Sequence, residues 1–217
     1  MDSLSNLDII FVNQQIDMQE LFISFSSNRK YAVRGDPKAA PILYAVQDNK
    51  FRDRALKPNY FFTIKIMNSR MTEVMHVDSP RPDAYFTQPR IEVNAPPGNL
   101  IGIVKLHSMS CPRTLHILKP NQSKQEVEYV INAPGTCGGG NLYHMPLKKT
   151  LPQVMDMKNK EVEKLFSGPF QELYTAADYF KVNCKGLDNR LKTILLGTVF
   201  FLDGLFYERS AARKILF

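Results

Sequence analysis

A chain of 217 residues, 44% hydrophobic and 23% charged, has the length and balance of one globular domain, taken as residues 1–217, with enough apolar material for a real core. Its net charge of +7 points to acidic partners, anionic lipid or nucleic acid, although the basic residues are scattered and the densest knots are Lys148-Lys149 and residues 209–214. Cys111, Cys137 and Cys184 form no CxxC pair and are odd in number, which excludes a disulfide scaffold and predicts reduced thiols on the cytosolic side.

The opening stretch MDSLSNLDIIFVNQQ has neither a basic n-region nor a long apolar run, so no secretory signal is expected, and no myristoylation or prenylation pattern is present. Residues 7–12 are a short apolar run, strand or helix turn, and 17–25 (DMQELFISF) end in alternation. KYAVR at 30–34 and LYAVQ at 43–47 flank the turn-rich GDPKAAP, a strand–turn–strand signature. A polar stretch, 47–58, precedes a strand at 60–67 (YFFTIKIM); Asn68-Ser69-Arg70 turns the chain and 72–77 returns. RIEVN at 90–94, the turn APPGN and LIGIVKLH at 100–107 form the next hairpin, with Pro at the front of the turn and Gly behind it. Strands follow at 114–118 and 126–132, then the glycine run Gly138-Gly139-Gly140, read as a bulge or flexible turn, and weaker strand candidates at 142–147, 153–157 and 161–166. Short strands at roughly 8–12-residue spacing argue for an all-β sandwich or barrel.

The last apolar stretch differs from all of these. Residues 191–207 (LKTILLGTVFFLDGLFY) are hydrophobic on every helical face, flanked by Lys185, Arg190 and Lys192 before and by a short basic tail, 208–217, after. Such a helix is about 25 Å long, short for a bilayer core of about 30 Å, and it carries Asp203. It is too apolar for a surface. Two environments fit: the interior of a β-structure, which is preferred here, or a membrane reached by snorkelling basic flanks. Thr193, Gly197 and Gly204 lie near one face and allow a wall to approach closely. A polar strand or loop at 174–188 feeds this helix, with a cap near Asp188-Asn189.

Enzymatic chemistry is hard to find. There is no phosphate-loop motif, and His76, His107, His116 and His144 show no HExxH or i,i+4 pairing, so strand or loop histidines are expected rather than metal ligands. No carboxylate pair stands out, and no activating neighbour is evident for Cys137 or Cys184. Nucleic-acid binding has only the positive charge in its favour and is set aside. Tested as a calcium loop from Ala176, the sequence offers oxygen only at Asp178 among the required early positions.

Five segments in order, LDIIFVNQQID, KYAVRG with ILYAVQDN, IEVNAPPGNLIGIVK, FSGPFQELYTAADYFKVN and LKTILLGTVFFLDGLFYE, resemble the phospholipid scramblase family over nearly the whole chain. The resemblance implies a tubby-like fold: a closed antiparallel β-barrel around a central hydrophobic C-terminal helix. It implies ATP-independent, bidirectional and calcium-stimulated movement of phospholipids between bilayer leaflets, with no covalent chemistry. It also implies partners in phospholipids and the membrane surface, at the cytosolic face of the plasma membrane or of an organelle. The family's calcium ligands precede the helix. Here Asp178 is kept and Asp188 corresponds to a later acid, whereas Ala176 replaces the first acid and Tyr179 an Asn, so the expected affinity is weak or nil. The cysteine-rich palmitoylation run expected around 77–90 is replaced by HVDSPRPDAYFTQPR, and the proline-rich N-terminal extension of some members is not found in this sequence. Asp203 is a candidate for lining a lipid path, the alternative being an Asp hydrogen-bonded to the barrel wall. One spanning helix gives little room for a path, so a homo-oligomer is expected. The alternative function is a non-transporting tubby-like module that binds anionic lipid headgroups.

Overall fold

The computed structural model describes residues 2–15, 29–47, 62–80, 88–108, 113–120, 126–133, 153–156, 161–164 and 179–204. A one-turn helix, α1 (Asp2–Ser5), leads into β1 (Ile9–Gln15). The strand–turn–strand signature becomes β2 (Lys30–Arg34) and β3 (Leu43–Gln47). Next come β4 (Thr63–Asn68), β5 (Glu73–Asp78), β6 (Arg90–Asn94) and β7 (Leu100–Ser108). They are followed by β8 (Arg113–Leu118), β9 (Val127–Ala133), β10 (Gln153–Asp156), β11 (Glu161–Lys164) and β12 (Tyr179–Asn183). The apolar helix is α2 (Asn189–Leu202), which starts two residues before the predicted position and has Asp203 as its C-cap.

Turn chemistry sets the hairpins. Between β4 and β5 the Asn68 side chain accepts from the backbone N–H groups of Arg70 and Thr72, and Met71 takes a positive φ of 59°. Between β6 and β7, Ala95 N–H donates to Asn99 O and Asn99 N–H to Pro96 O, while Gly98 takes a φ of 87° that a β-carbon would oppose. These tight connections keep neighbours in sequence as neighbours in space. Among the described residues the twelve strands form one antiparallel sheet in the order β11-β10-β9-β8-β7-β6-β5-β4-β3-β2-β1-β12. Its edges are β11 and β12, and among the described residues no ladder joins them.

The inner face supplies Ile10, Val12, Val33, Ile64, Ile66, Met75, Val77, Ile91, Val93, Val104, Leu115 and Ile117, all buried, as period-two alternation requires. Against this face lies α2, buried at every position from Leu191 to Leu202. The sheet curls about it: Phe200 meets Tyr31 of β2 with ring centroids 4.9 Å apart, and Gly197 faces Met75, Val77 and Val93 of β5 and β6. Ile194 fills the space beside Gly102 of β7, where a β-carbon would come within 2.5 Å of it. The protein interior is thus the environment of this helix. Each fully buried Leu, Ile, Val or Phe contributes about 1.5–3 kcal/mol, so the helix that cannot stand in water supplies the core the sheet lacks.

Candidate functional site

The site is built around α2, because among the described residues its two ends hold the buried charges, Lys192 and Asp203. At the N-terminal end Asp188 is extended (φ −71°, ψ 162°) and its Oδ1 accepts from Leu191 N–H at 2.7 Å, the expected cap. Arg190 forms a fork on Glu128 of β9, with Nη1 2.9 and 3.0 Å and Nη2 2.9 Å from the carboxylate, and its Nε donates to Ile101 O of β7 at 2.9 Å. Lys192, one of the basic residues at this end of the helix, lies inside the protein. It is 4% exposed, and its ammonium donates to Ser5 O and Leu7 O at 2.9 and 2.8 Å. Those carbonyls lie at the end of α1 and just after it, so the helix holds the N-terminal segment against the sheet.

At the C-terminal end Asp203 is 2% exposed. Its Oδ2 accepts from the Tyr31 hydroxyl at 2.6 Å and lies 3.6 Å from Arg29 Nη1. Burial, followed by the negative charge of Asp203, holds the Tyr31 phenol well above its ordinary range, against a smaller opposing pull from Arg29. Tyr31 is therefore a neutral donor to Asp203 at physiological pH. Between the two ends the helix shows no polar track: Thr193 and Thr198 donate their hydroxyls back to Asn189 O and Ile194 O at 2.7 and 2.9 Å. In this conformation Asp203 faces protein groups.

Of the residues named for calcium, Asp178 and Ala176 lie outside the described residues. Asp188 is exposed, with one oxygen engaged in the helix cap. Among the described residues no three His, Cys, Asp or Glu side chains gather as a metal cluster. Cys184 is buried behind β12, while Cys111, Cys137, His144, the run at Gly138 and residues 205–217 are outside the described residues.

The outer face carries one cluster within a single strand and another across two strands. His76 of β5 stands between Glu73 Oε1 at 3.1 Å and Asp78 Oδ2 at 2.9 Å. His107 of β7 and His116 of β8 stack with centroids 4.0 Å apart, and burial, then His107 and Lys105, push the His116 pKa down. Strand alternation tells which face each side chain takes; the cross-strand register decides which of them meet.

The family model described as Scramblase matches residues 1–209. Among curated proteins, mouse phospholipid scramblase 1 is 28% identical over 97% of this chain and 64% of its own length. Human phospholipid scramblase 1 is 25% identical over 99% of this chain and 67% of its own, and human phospholipid scramblase 2 is 26% identical over 97% and 71%. The chain thus spans just under two thirds of the length of the mouse protein. No solved structure gives a significant match. With the matched region running from the first strand through both charged ends of the helix, the chain belongs to the Scramblase family.

Proposed function

We propose that this protein moves phospholipids between bilayer leaflets, in both directions and without ATP. The family match over residues 1–209 carries this reading. The mouse and human relatives bear the name phospholipid scramblase. The partners are phospholipids and the membrane surface, the place of action is the cytosolic face of the plasma membrane or of an organelle, and no covalent step takes place. The sheet completes a closed tubby-like barrel, a reading supported by contacts of α2 with strands as far apart as β2 and β9. A path for headgroups requires α2 to present a polar side, with Asp203 at it, and more than one copy to enclose it. Calcium stimulation would run through Asp178 and Asp188. Ala176 and the capping role of Asp188 make the expected response small.

A second reading has a specific observation in its favour. Helix α2 is buried inside the protein, and among the described residues no helix is long and apolar enough to cross a membrane. On that reading the protein is a module that binds anionic headgroups and transports nothing. Liposomes carrying a leaflet-reporting fluorescent lipid separate the two. Exchange above protein-free vesicles, reduced little by chelator, is the expected result. Bound protein without exchange would select the module and remove the transport reading.

A further inference from the structure

In the register of β6, β7 and β8, Arg90 stands opposite Lys105, and Lys105 opposite His116. Directly opposed residues share one face of a sheet. The neighbours Ile91, Val104, Leu106, Leu115 and Ile117 are all buried, so this row points outward. His107 joins it by stacking on His116. Adjacent strands lie about 4.8 Å apart, so the row spans about 10 Å.

Two features show a row set for an anion. Arg90 Nε is buried and makes no hydrogen bond, although Nη2 lies 3.3 Å from Glu92 Oε1. Burial and the neighbouring His107 and Lys105 disfavour charge on His116. An anion among these groups would offset that repulsion and accept from both ring and guanidinium donors. The surroundings limit its size. Glu92 adjoins Arg90 on β6 and faces Asp78 of β5, Val130 faces His116 from β9, and Glu128 is held by Arg190. Acids close the row on one side and an apolar residue closes it on the other. A continuous polyanion needs a longer track of cations; a phosphomonoester of up to two charges does not.

Resting on the membrane reading above, we propose that Arg90, Lys105, His107 and His116 form a binding site for the phosphomonoester headgroup of an anionic lipid. The test is co-sedimentation of the full chain with phosphatidylcholine vesicles, with and without phosphatidic acid. The expected result is binding only with phosphatidic acid. Lys105→Gln weakens it about fivefold, Lys105→Arg restores it, and His107→Gln with His116→Gln weakens it as well. Unchanged binding by these variants, with unfolding curves like the parent's, would overturn the site. So would equal displacement by free inorganic phosphate at matched concentration, or capture of duplex DNA in place of vesicles. Leaflet exchange in vesicles of phosphatidylcholine alone is read beside it. Its loss with phosphatidic acid binding intact removes the transport reading and leaves this site standing.

Discussion

The two ends of α2 solve opposite electrostatic problems with unequal security. Its N-terminal end places Arg190 and Lys192 at the positive pole of the helix dipole, and its C-terminal end places Asp203 at the negative pole, so each charge stands where the dipole opposes it. At the N-terminal end relief is shared: Asp188 caps the helix, Glu128 receives Arg190, and backbone carbonyls receive Lys192. Several of these groups touch water. At the C-terminal end the acid is sealed in with Tyr31 and Arg29 as its described side-chain partners. Water cannot replace a lost partner there, so the same unit of charge is far more exposed to damage.

If that contrast holds, the largest effect comes from Asp203→Ala, which strands a buried phenol and removes the acid beside Arg29, and destabilises by about 3 kcal/mol in urea unfolding. Asp203→Asn, which keeps an acceptor, should cost less; equal costs would show that the charge rather than the hydrogen bond matters. Tyr31→Phe ranks next, at about 2 kcal/mol, because it leaves the carboxylate with Arg29. It also has a pH signature. The Tyr31 pKa is raised in the folded state, so above the unfolded tyrosine value of about 10 the unfolded chain has fewer protons than the folded one. The stability contribution is complete below that pH and is lost as pH rises through the folded value. Tyr31→Phe should flatten this alkaline decline in unfolding free energy; an unchanged slope would assign it to other groups.

The N-terminal end should give smaller effects. Arg190→Ala removes a two-pronged pair that is partly exposed, and about 1–2 kcal/mol is expected after discounting for solvent. Asp188→Ala removes one cap and costs about 1 kcal/mol, a shift in thermal midpoint of about 2–4 °C for a chain of this size. A loss at Asp188 larger than at Asp203 would reverse the comparison. Calcium-dependent stabilisation of the parent, abolished by Asp188→Ala, would give that carboxylate a second role.

Much of the sheet was legible because its punctuation is local. Asn68-Ser69-Arg70 and APPGN bend the chain through backbone preferences that act within a few residues, and the alternation of RIEVN says which side is buried. Helix α2 was legible from its uniform apolarity, and its cap from an Asp in the right place. Gly197 was also readable as a close approach, now seen against Val77 and Val93. The charge partners were not. Tyr31 and Asp203 are 172 positions apart, and Arg190 and Glu128 are 62 apart, so no local pattern joins them. Lys192 looked like a flank because burial of an ammonium depends on two carbonyls that only the folded chain brings to it. Likewise, the row from Arg90 to His116 exists only through register.

The position of α2 late in the chain has a consequence for synthesis. Val77, Val93 and Val104 emerge from the ribosome roughly a hundred residues before the helix that covers them, an interval of about 5–20 s at ordinary rates of translation. For that time the strands have hairpins but no filling, and their apolar face is open to other chains. Truncations or stalls before residue 189 should therefore yield sticky, chaperone-bound intermediates rather than smaller folded proteins. The step that completes the molecule is the arrival of its last helix.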